Sequence, residues 1–381
     1  MNKKSNEKSQ TMKTSTHART IAVLGGGHGA RTVAADMSLA GHEVRLFEFE
    51  RFHDNVAALF AERQIVISGS ARNGVATLAL ATHNLAEAIR GTDAILIIVP
   101  ALYHRIYAEA LAPLLCDGQN VVFIPGTLGS LEFVAEIRVR GCQANITVSE
   151  LDTLPYATRM TGASSVNVYH ALPVFGAGVF PSVKTPEVLG ILKDLYPGID
   201  AFRDVLEAGL SNCNPVIHPL GVLMNAGRIE YSRGEFWYYE EGITPSTARA
   251  MEALDEERCA LGKQLGLQLA KQSDALHAVG YGPKGDLWET LKGSKGLTPI
   301  KGPTSLSNRY VTEDIPIGLV CWSQLGDLLG VSTPLMRATV EIGIAISGVD
   351  YWATGRTIAR CGIVGMNAST LSEYARTGNR N

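Results

Sequence analysis

The sequence predicts an α/β protein in which an N-terminal domain on a parallel, doubly wound sheet is followed by a mostly helical domain. Three observations carry this reading. Apolar, β-branched runs alternate with helically spaced segments up to about residue 150. Three consecutive glycines close the first of these runs and open a helix. From about residue 205 onward, long stretches keep helical spacing and strand patterns become rare.

Thr20–Leu24 reads as a buried strand entering the turn Gly25-Gly26-Gly27. Gly29 to Ala40 has Ala30, Val33, Ala34 and Met37 at helical spacing, and Gly41 stops it. Glu43–Phe47 is the second strand; Ile65–Ser68 and Ala76–Ala81 are shorter candidates, and Asn84–Arg90 a short helix. Ala94–Val99 is the most apolar strand and ends at Pro100; a helix over Tyr103–Leu115 follows. Asn120–Ile124 closes at Pro125-Gly126, before a helix over Leu131–Arg140 and a strand over Asn145–Val148. In the second half, Thr247–Leu265, the region after Ile315, and Thr333–Ile346 read as helices, and Gly280–Pro303 as a long surface loop. The resulting division is a polar, disordered tail over 1–18, a dinucleotide-binding domain over 19–204 and a helical substrate and catalytic domain over 205–381.

Composition narrows the function classes. With 46% hydrophobic and 19% charged residues over 381 positions, the chain suits a two-domain globular enzyme. A net charge of −3, spread along the chain, argues against a nucleic-acid or anionic-lipid face. The six cysteines are far apart with no CxxC pair, which points to reduced thiols, no metal and a cytoplasmic setting. The first residues to about Arg19 hold no apolar run of a secretory signal, no later stretch is long enough for a membrane span, and Met12 is an alternative start.

Gly25, Gly27 and Ala30 fit GxGxxA, the phosphate-binding turn of a Rossmann domain. Gly25 permits the tight turn, Gly27 lets the backbone approach a pyrophosphate, and Ala30 allows close helix–strand packing. His28 and Gly29 complete the helix N-terminus that faces the phosphates. Glu48, at the end of the second strand, is placed to bind the adenosine ribose hydroxyls. It favours NAD(H), while Arg45 and Arg51 leave NADP(H) open. The strand ends Val99-Pro100 and Pro125-Gly126 should border the nicotinamide side. For each there is a plainer role, a strand-stopping turn or a solvated carboxylate.

Among nine histidines, His218 stands out because Ser211-Asn212-Cys213-Asn214 interrupts an apolar helical stretch just before it. Spacing alone favours a structural histidine there. The run Asn214-Pro-Val-Ile-His-Pro-Leu220, the following Asn225-Ala-Gly-Arg228, the segment Tyr239-Glu-Glu-Gly-Ile-Thr-Pro245, and Asn308-Arg-Tyr310 with Glu313-Asp314 change that balance. Together they resemble the opine dehydrogenase family, the octopine/nopaline dehydrogenase group with bacterial N-(1-D-carboxyethyl)-L-norvaline dehydrogenase-like members. The resemblance runs from about residue 20 to 365. It implies NAD(P)H-dependent reductive condensation of an amino acid or amine with a 2-oxo acid such as pyruvate. It also implies a catalytic His–Asp pair at His218 and Asp314. Both substrates carry carboxylates, so Arg159, Arg228 and Arg309 are candidate partners, with Asn214 and Thr244 as weaker hydrogen-bond candidates. Trp237, Tyr238 and Tyr239 could wall the amino-acid pocket or simply pack. A homodimer is compatible with the apolar surface of the helical half.

Two other readings stay open. A ketopantoate reductase or glycerol-3-phosphate dehydrogenase-like carbonyl reductase would share the plan, but it would use a lysine early in the helical domain. No lysine lies between Asp194 and Lys263. A non-catalytic NAD(P)-sensing regulator would need no His–Asp pair.

Overall fold

The computed structural model describes residues 17–380, so the expected tail lies outside the described residues up to residue 16. The α/β reading holds. Strands β1 (Thr20–Leu24), β2 (Glu43–Phe47), β3 (Gln64–Gly69), β4 (Gly74–Thr77), β5 (Leu80–Thr82), β6 (Ala94–Ile97), β7 (Asn120–Phe123), β8 (Thr147–Leu151), β9 (Tyr156–Gly162), β10 (Ser165–Ala171), β11 (Phe175–Phe180) and β12 (Ile199–Ala201) form two sheets. The main sheet has the order β12-β11-β8-β7-β6-β1-β2-β5. Its six strands from β5 to β8 run parallel, and β11 turns antiparallel against β8. Side chains of β6 and β7 are buried along their whole length, as a sheet covered on both faces requires. After β12 the chain is helical, beginning with Val205–Ser211, whose N-cap Asp204 accepts the N–H groups of Leu206 and Glu207.

The sequence reading missed β9, β10 and β11. With β3 and β4, strands β9 and β10 make a second sheet, ordered β4-β3-β10-β9. This sheet covers the helix His28–Leu39 on the side away from the main sheet. Polar residues of that helix are therefore buried, and each finds a partner. Asp36 takes the Tyr156 hydroxyl at 2.8 Å and an ion pair with Arg72, and Thr32 Oγ1 meets Thr158 Oγ1 at 2.7 Å. The expected loop over 280–303 also contains a helical turn, Leu287–Lys292. It opens on an Asp286–Glu289 capping box and buries Leu287 and Leu291.

The two halves are locked by a buried cation. Arg356, fully buried, pairs with Glu132 at 2.7 Å. It also donates to the carbonyls of Gly126 (2.9 Å) and Thr127 (2.8 Å), and reaches His104 Nδ1 at 3.0 Å. Burial and the Arg356 charge hold His104 well below its usual pKa, so its ring stays neutral and accepts. The same 126–130 loop carries Thr127 and Leu128 in the left-handed region (φ 53° and 66°) and is held from below by Glu150. Glu150 accepts the N–H groups of Leu128 at 3.0 Å and Ser130 at 3.1 Å.

Two stability effects follow. Arg356→Met removes the close cation of buried Glu132, leaving only Arg360 at 3.9 Å, and should lower the unfolding free energy by about 3–5 kcal/mol in urea melts. Burial raises the Glu150 carboxyl from 4.5 to about 7. A group that binds its proton more tightly when folded contributes stability below its unfolded pKa and loses it as pH rises through the folded value. Between about pH 5 and about pH 8 the protein should lose roughly 3 kcal/mol from this source. Glu150→Gln, whatever its absolute stability, should flatten that slope in melts across the same range.

Candidate active site

The Gly-rich turn leaves β1 at the centre of the main sheet, between β2 and β6, where a doubly wound sheet opens a crevice at its carboxyl edge. A cavity of about 300 Å³ lies there. It is lined by Gly26, Gly27 and His28 of the turn, Glu48 and Arg51 after β2, and Val99 and Pro100 after β6, among others. The predicted cofactor residues from three strand ends thus converge. Gly25 has φ +121°, and a Cβ there would sit 2.7 Å from the Ile98 carbonyl oxygen. A Cβ on Gly27 would meet nothing in the protein, so the room above it is room for a ligand. Ala30 is fully buried.

Glu48 accepts the N–H groups of Gly26 and Phe49, each at 2.8 Å, and the Tyr107 hydroxyl at 3.3 Å. A carboxylate offers about four acceptor positions, which leaves one for a ribose hydroxyl. Arg51 lies over the rings of Phe49 and Phe52, with its guanidinium carbon 5.1 and 5.0 Å from their centroids. His28 Nδ1 accepts the Met160 N–H at 2.8 Å; burial, then the charges of Arg159 and Arg31, lower its pKa and keep it neutral. Arg31 and Tyr107 were not anticipated. Arg31 is fully buried, donates to the Gly26 carbonyl at 2.7 Å and also reaches the carbonyls of Asn55 and Ala163. A lone arginine among the small residues that open this helix was the available clue.

Pro125 and Gly126 do not line this cavity. A Cβ on Gly126 would strike Glu150 at 2.2 Å, and its carbonyl serves Arg356, so this strand end is packed rather than open.

His218 and Asp314 come together although 96 residues separate them: Nδ1 lies 2.7 Å from Asp314 Oδ2, and both residues are buried. His218 stands between two short helical turns, Asn214–Ile217 and Pro219–Leu223, each begun with a proline in its first turn. Asp314 opens a π-helical turn, Asp314–Leu319. A carboxylate oxygen can only accept, so Nδ1 donates and Nε2 carries the lone pair. Nε2 faces the Tyr239 hydroxyl at 3.2 Å, and Tyr310 stacks on the ring with centroids 3.7 Å apart and planes 13° from parallel. Burial, then neighbouring tyrosines, hold the Tyr239 phenol well above its usual pKa, so it stays protonated and donates. Tyr239 was named only as a wall, and Tyr310 only as part of a resemblance; their contacts with His218 are not legible from spacing.

The His–Asp pair is wired to the cofactor crevice. Ala101 N–H donates to Glu313 Oε1 at 2.9 Å, so the β6 strand end docks beside Asp314. Asn212 donates to Thr127 Oγ1 at 2.6 Å and accepts the Asn214 N–H at 2.9 Å. Arg309 pairs with Glu313 at 3.4 Å while its side chain stays 55% exposed, which leaves its fork available. Arg159 is exposed on β9, where it donates to the Thr158 carbonyl at 2.8 Å, and its charge reaches both His28 and Tyr310. Two other candidates are engaged elsewhere. Arg228 forms an ion pair with Glu241 and lies over Phe236, and Thr244 caps the helix Pro245–Gln264 by accepting the Thr247 N–H.

Residues 201–347 match the family model described as NAD/NADP octopine/nopaline dehydrogenase, alpha-helical domain. An opine dehydrogenase of Arthrobacter sp. (strain 1C) is 31% identical over 356 residues, 93% of this chain and 98% of that protein. The chain belongs to the opine dehydrogenase family. It is an oxidoreductase acting on CH–NH bonds with a nicotinamide dinucleotide as cofactor. The vitopine synthase of Allorhizobium ampelinum is 24% identical over 91% of this chain and 96% of its own. Solved structures of octopine dehydrogenase with NADH and agmatine, L-arginine or pyruvate share the fold. Their TM-scores are 0.76, 0.76 and 0.73 at 20, 20 and 19% identity, covering 96% of this chain and 99% of each of theirs. Among the described residues, no helix of this opine dehydrogenase is long and apolar enough to cross a membrane.

The turn glycines can be told apart experimentally. Gly27→Ala should keep the melting temperature and weaken NADH binding by roughly tenfold or more, because only the ligand occupies that space. Gly25→Ala should lower both. NADH fluorescence titration beside a thermal melt reads the two effects; unchanged affinity in Gly27→Ala would remove the pyrophosphate from this turn.

Proposed function

We infer that this enzyme joins the amine of an amino acid, or a simple amine, to a 2-oxo acid such as pyruvate, with His218 and Asp314 as its proton-handling pair. The observation that carries the assignment is the 2.7 Å Nδ1–Oδ2 contact, which leaves Nε2 as the base position. The amine adds to the ketone to give a carbinolamine. One amine proton passes to the former ketone oxygen to give the neutral carbinolamine; His218, protonated at Nε2 by the incoming ammonium form of the amine, gives its proton to that hydroxyl, which leaves as water, and a protonated imine remains. Asp314 holds the ring in place and balances its charge while it is protonated. The bound dinucleotide supplies the hydride that reduces the imine to the secondary amine.

The Tyr239 contact at 3.2 Å is long for a hydroxyl donor, so a substrate oxygen can replace it at Nε2. Arg159 and Arg309 are our choice for the two substrate carboxylates, since both keep an exposed guanidinium near the pair. Asn214 remains a weaker partner beside His218. Octopine dehydrogenase, whose solved structures hold L-arginine and pyruvate, supports this substrate class. NAD(H) is favoured over NADP(H): the carboxylate of Glu48 would repel a 2′-phosphate, while Arg51 keeps the second cofactor open. Six free thiols suit a reducing cytoplasm, and the exposed Ile342 and Ile346 of the helix Pro334–Ser347 offer surface for a homodimer. We place the division between the cofactor domain and the helical domain at 204/205, with the C-terminal helix Ala368–Thr377 returning to pack on β11.

Loss of reduced-nicotinamide absorbance, followed with pyruvate and a panel of amines, should require both partners. Oxidation with the 2-oxo acid alone would instead make the enzyme a carbonyl reductase. His218→Asn and Asp314→Asn should each lower kcat by about a hundredfold or more while NADH affinity holds. Unchanged kcat in either would defeat the pair.

A further inference from the structure

Beyond the crevice, one cluster of ligand-type side chains has no part in the proposed chemistry. Glu50 and His53 follow β2, and His83 follows β5. The register Phe47↔Thr82 between these parallel strands brings the two turns side by side. His53 Nδ1 lies 2.9 Å from His83 Nε2, Glu50 Oε2 lies 3.7 Å from the same nitrogen, and the three ligand atoms fall within 4.8 Å of one another. The sequence reading expected no metal from the scattered cysteines and did not weigh this cluster, in which His53 and His83 lie 30 positions apart.

The tautomer of His83 makes the cluster more than a meeting of polar groups. Its Nδ1 lies 2.7 Å from the Glu48 carbonyl oxygen, which can only accept, so Nδ1 is the donor and Nε2 carries a lone pair. That lone pair is aimed at the side chains of His53 and Glu50. A histidine whose second nitrogen is tied to a backbone carbonyl is oriented as metal-ligating histidines are. Phe60 packs on the His83 ring, with centroids 4.5 Å apart, and limits its rotation. Glu50 is 77% exposed, which leaves room for water as a fourth ligand.

We propose that Glu50, His53 and His83 bind one divalent cation of the zinc class, and that its occupancy tightens dinucleotide binding. Two imidazoles and a carboxylate suit zinc or cobalt and disfavour calcium and magnesium, which select oxygen. The link to the cofactor is mechanical: Arg51 and Phe52 lie between two of the ligands and line the cavity, so a cation fixes the turn that carries them. This half of the proposal rests on reading that cavity as the dinucleotide site. By linkage, NADH must tighten the metal to the same extent.

Chelator-stripped enzyme titrated with Co²⁺ and Zn²⁺ provides the test. One equivalent should bind, with the intense visible bands of four-coordinate cobalt. Glu50→Gln and His53→Asn, both exposed positions outside the cavity lining, should weaken binding roughly tenfold or more and leave metal-free turnover unchanged. No uptake at micromolar metal, or uptake as tight in both variants, overturns the site and leaves His53 and His83 as a hydrogen-bonded pair. NADH fluorescence titration with and without Zn²⁺ should show about fivefold tighter binding in the wild type only. Equal affinities overturn the linkage. A protein that takes up cobalt but binds no NADH in either state refutes the cavity reading instead, since the metal titration stands by itself.

Discussion

Arg356 is the constraint on which the setting of the His218–Asp314 pair depends. A guanidinium with no solvent exposure must have every donor answered, and its answers come from three places at once. Glu132 supplies charge, the Gly126 and Thr127 carbonyls receive one nitrogen, and neutral His104 receives another. Its own backbone N–H donates to Pro316, within the turn that begins at Asp314. One residue from the end of the helical half thus fixes the β7 strand end, the helix that follows it and the turn that carries Asp314 relative to one another. The left-handed Thr127 and Leu128 persist because Arg356, Glu150 and Asn212 determine that loop from three sides.

Upon that frame the site is assembled from interrupted helices. His218 sits at the break between two proline-started turns, while Tyr239 and Asp314 sit in π-helical turns. The stacked Tyr310 ring and the Asp314 carboxylate then hold the imidazole with Nε2 toward the Tyr239 hydroxyl. Positioning here is done by packing and backbone irregularity together, and a single accurate hydrogen bond depends on both.

How much of this was legible depended on how local the cause was. The first strand, the glycine turn and Glu48 are read within thirty residues of chain, because tight turns and parallel strands impose composition directly. Strands β9 and β10 escaped detection because their alternation carries Thr, Arg, Asn and His, and their burial is supplied by a helix and a strand far away in sequence. The turn at Leu287–Lys292 was hidden by flanking glycines and lysines that read as loop. His218 could be singled out by its polar neighbours, but its partner Asp314 was reachable only through family resemblance. No periodicity connects two turns in different helices. Arg228 and Thr244 looked like substrate ligands for want of Glu241 and Thr247, nearby residues whose directions the sequence does not state.

The second sheet has a consequence for the order in which the protein can be made. Helix His28–Leu39 begins at the glycine turn, yet the layer that covers it includes strands β9 and β10. Ser68 bonds to the carbonyl of Val166, 98 residues further along the chain. Until the ribosome has delivered the chain beyond Ala171, Asp36 lacks Tyr156, Thr32 lacks Thr158, and one face of the helix is open to water. The cofactor domain is therefore not a self-sufficient N-terminal half that folds early and waits. Its crevice, although the glycine turn and Glu48 lie in the first fifty residues, is completed by segments synthesised far later, and loop-closure entropy places that event late in folding as well.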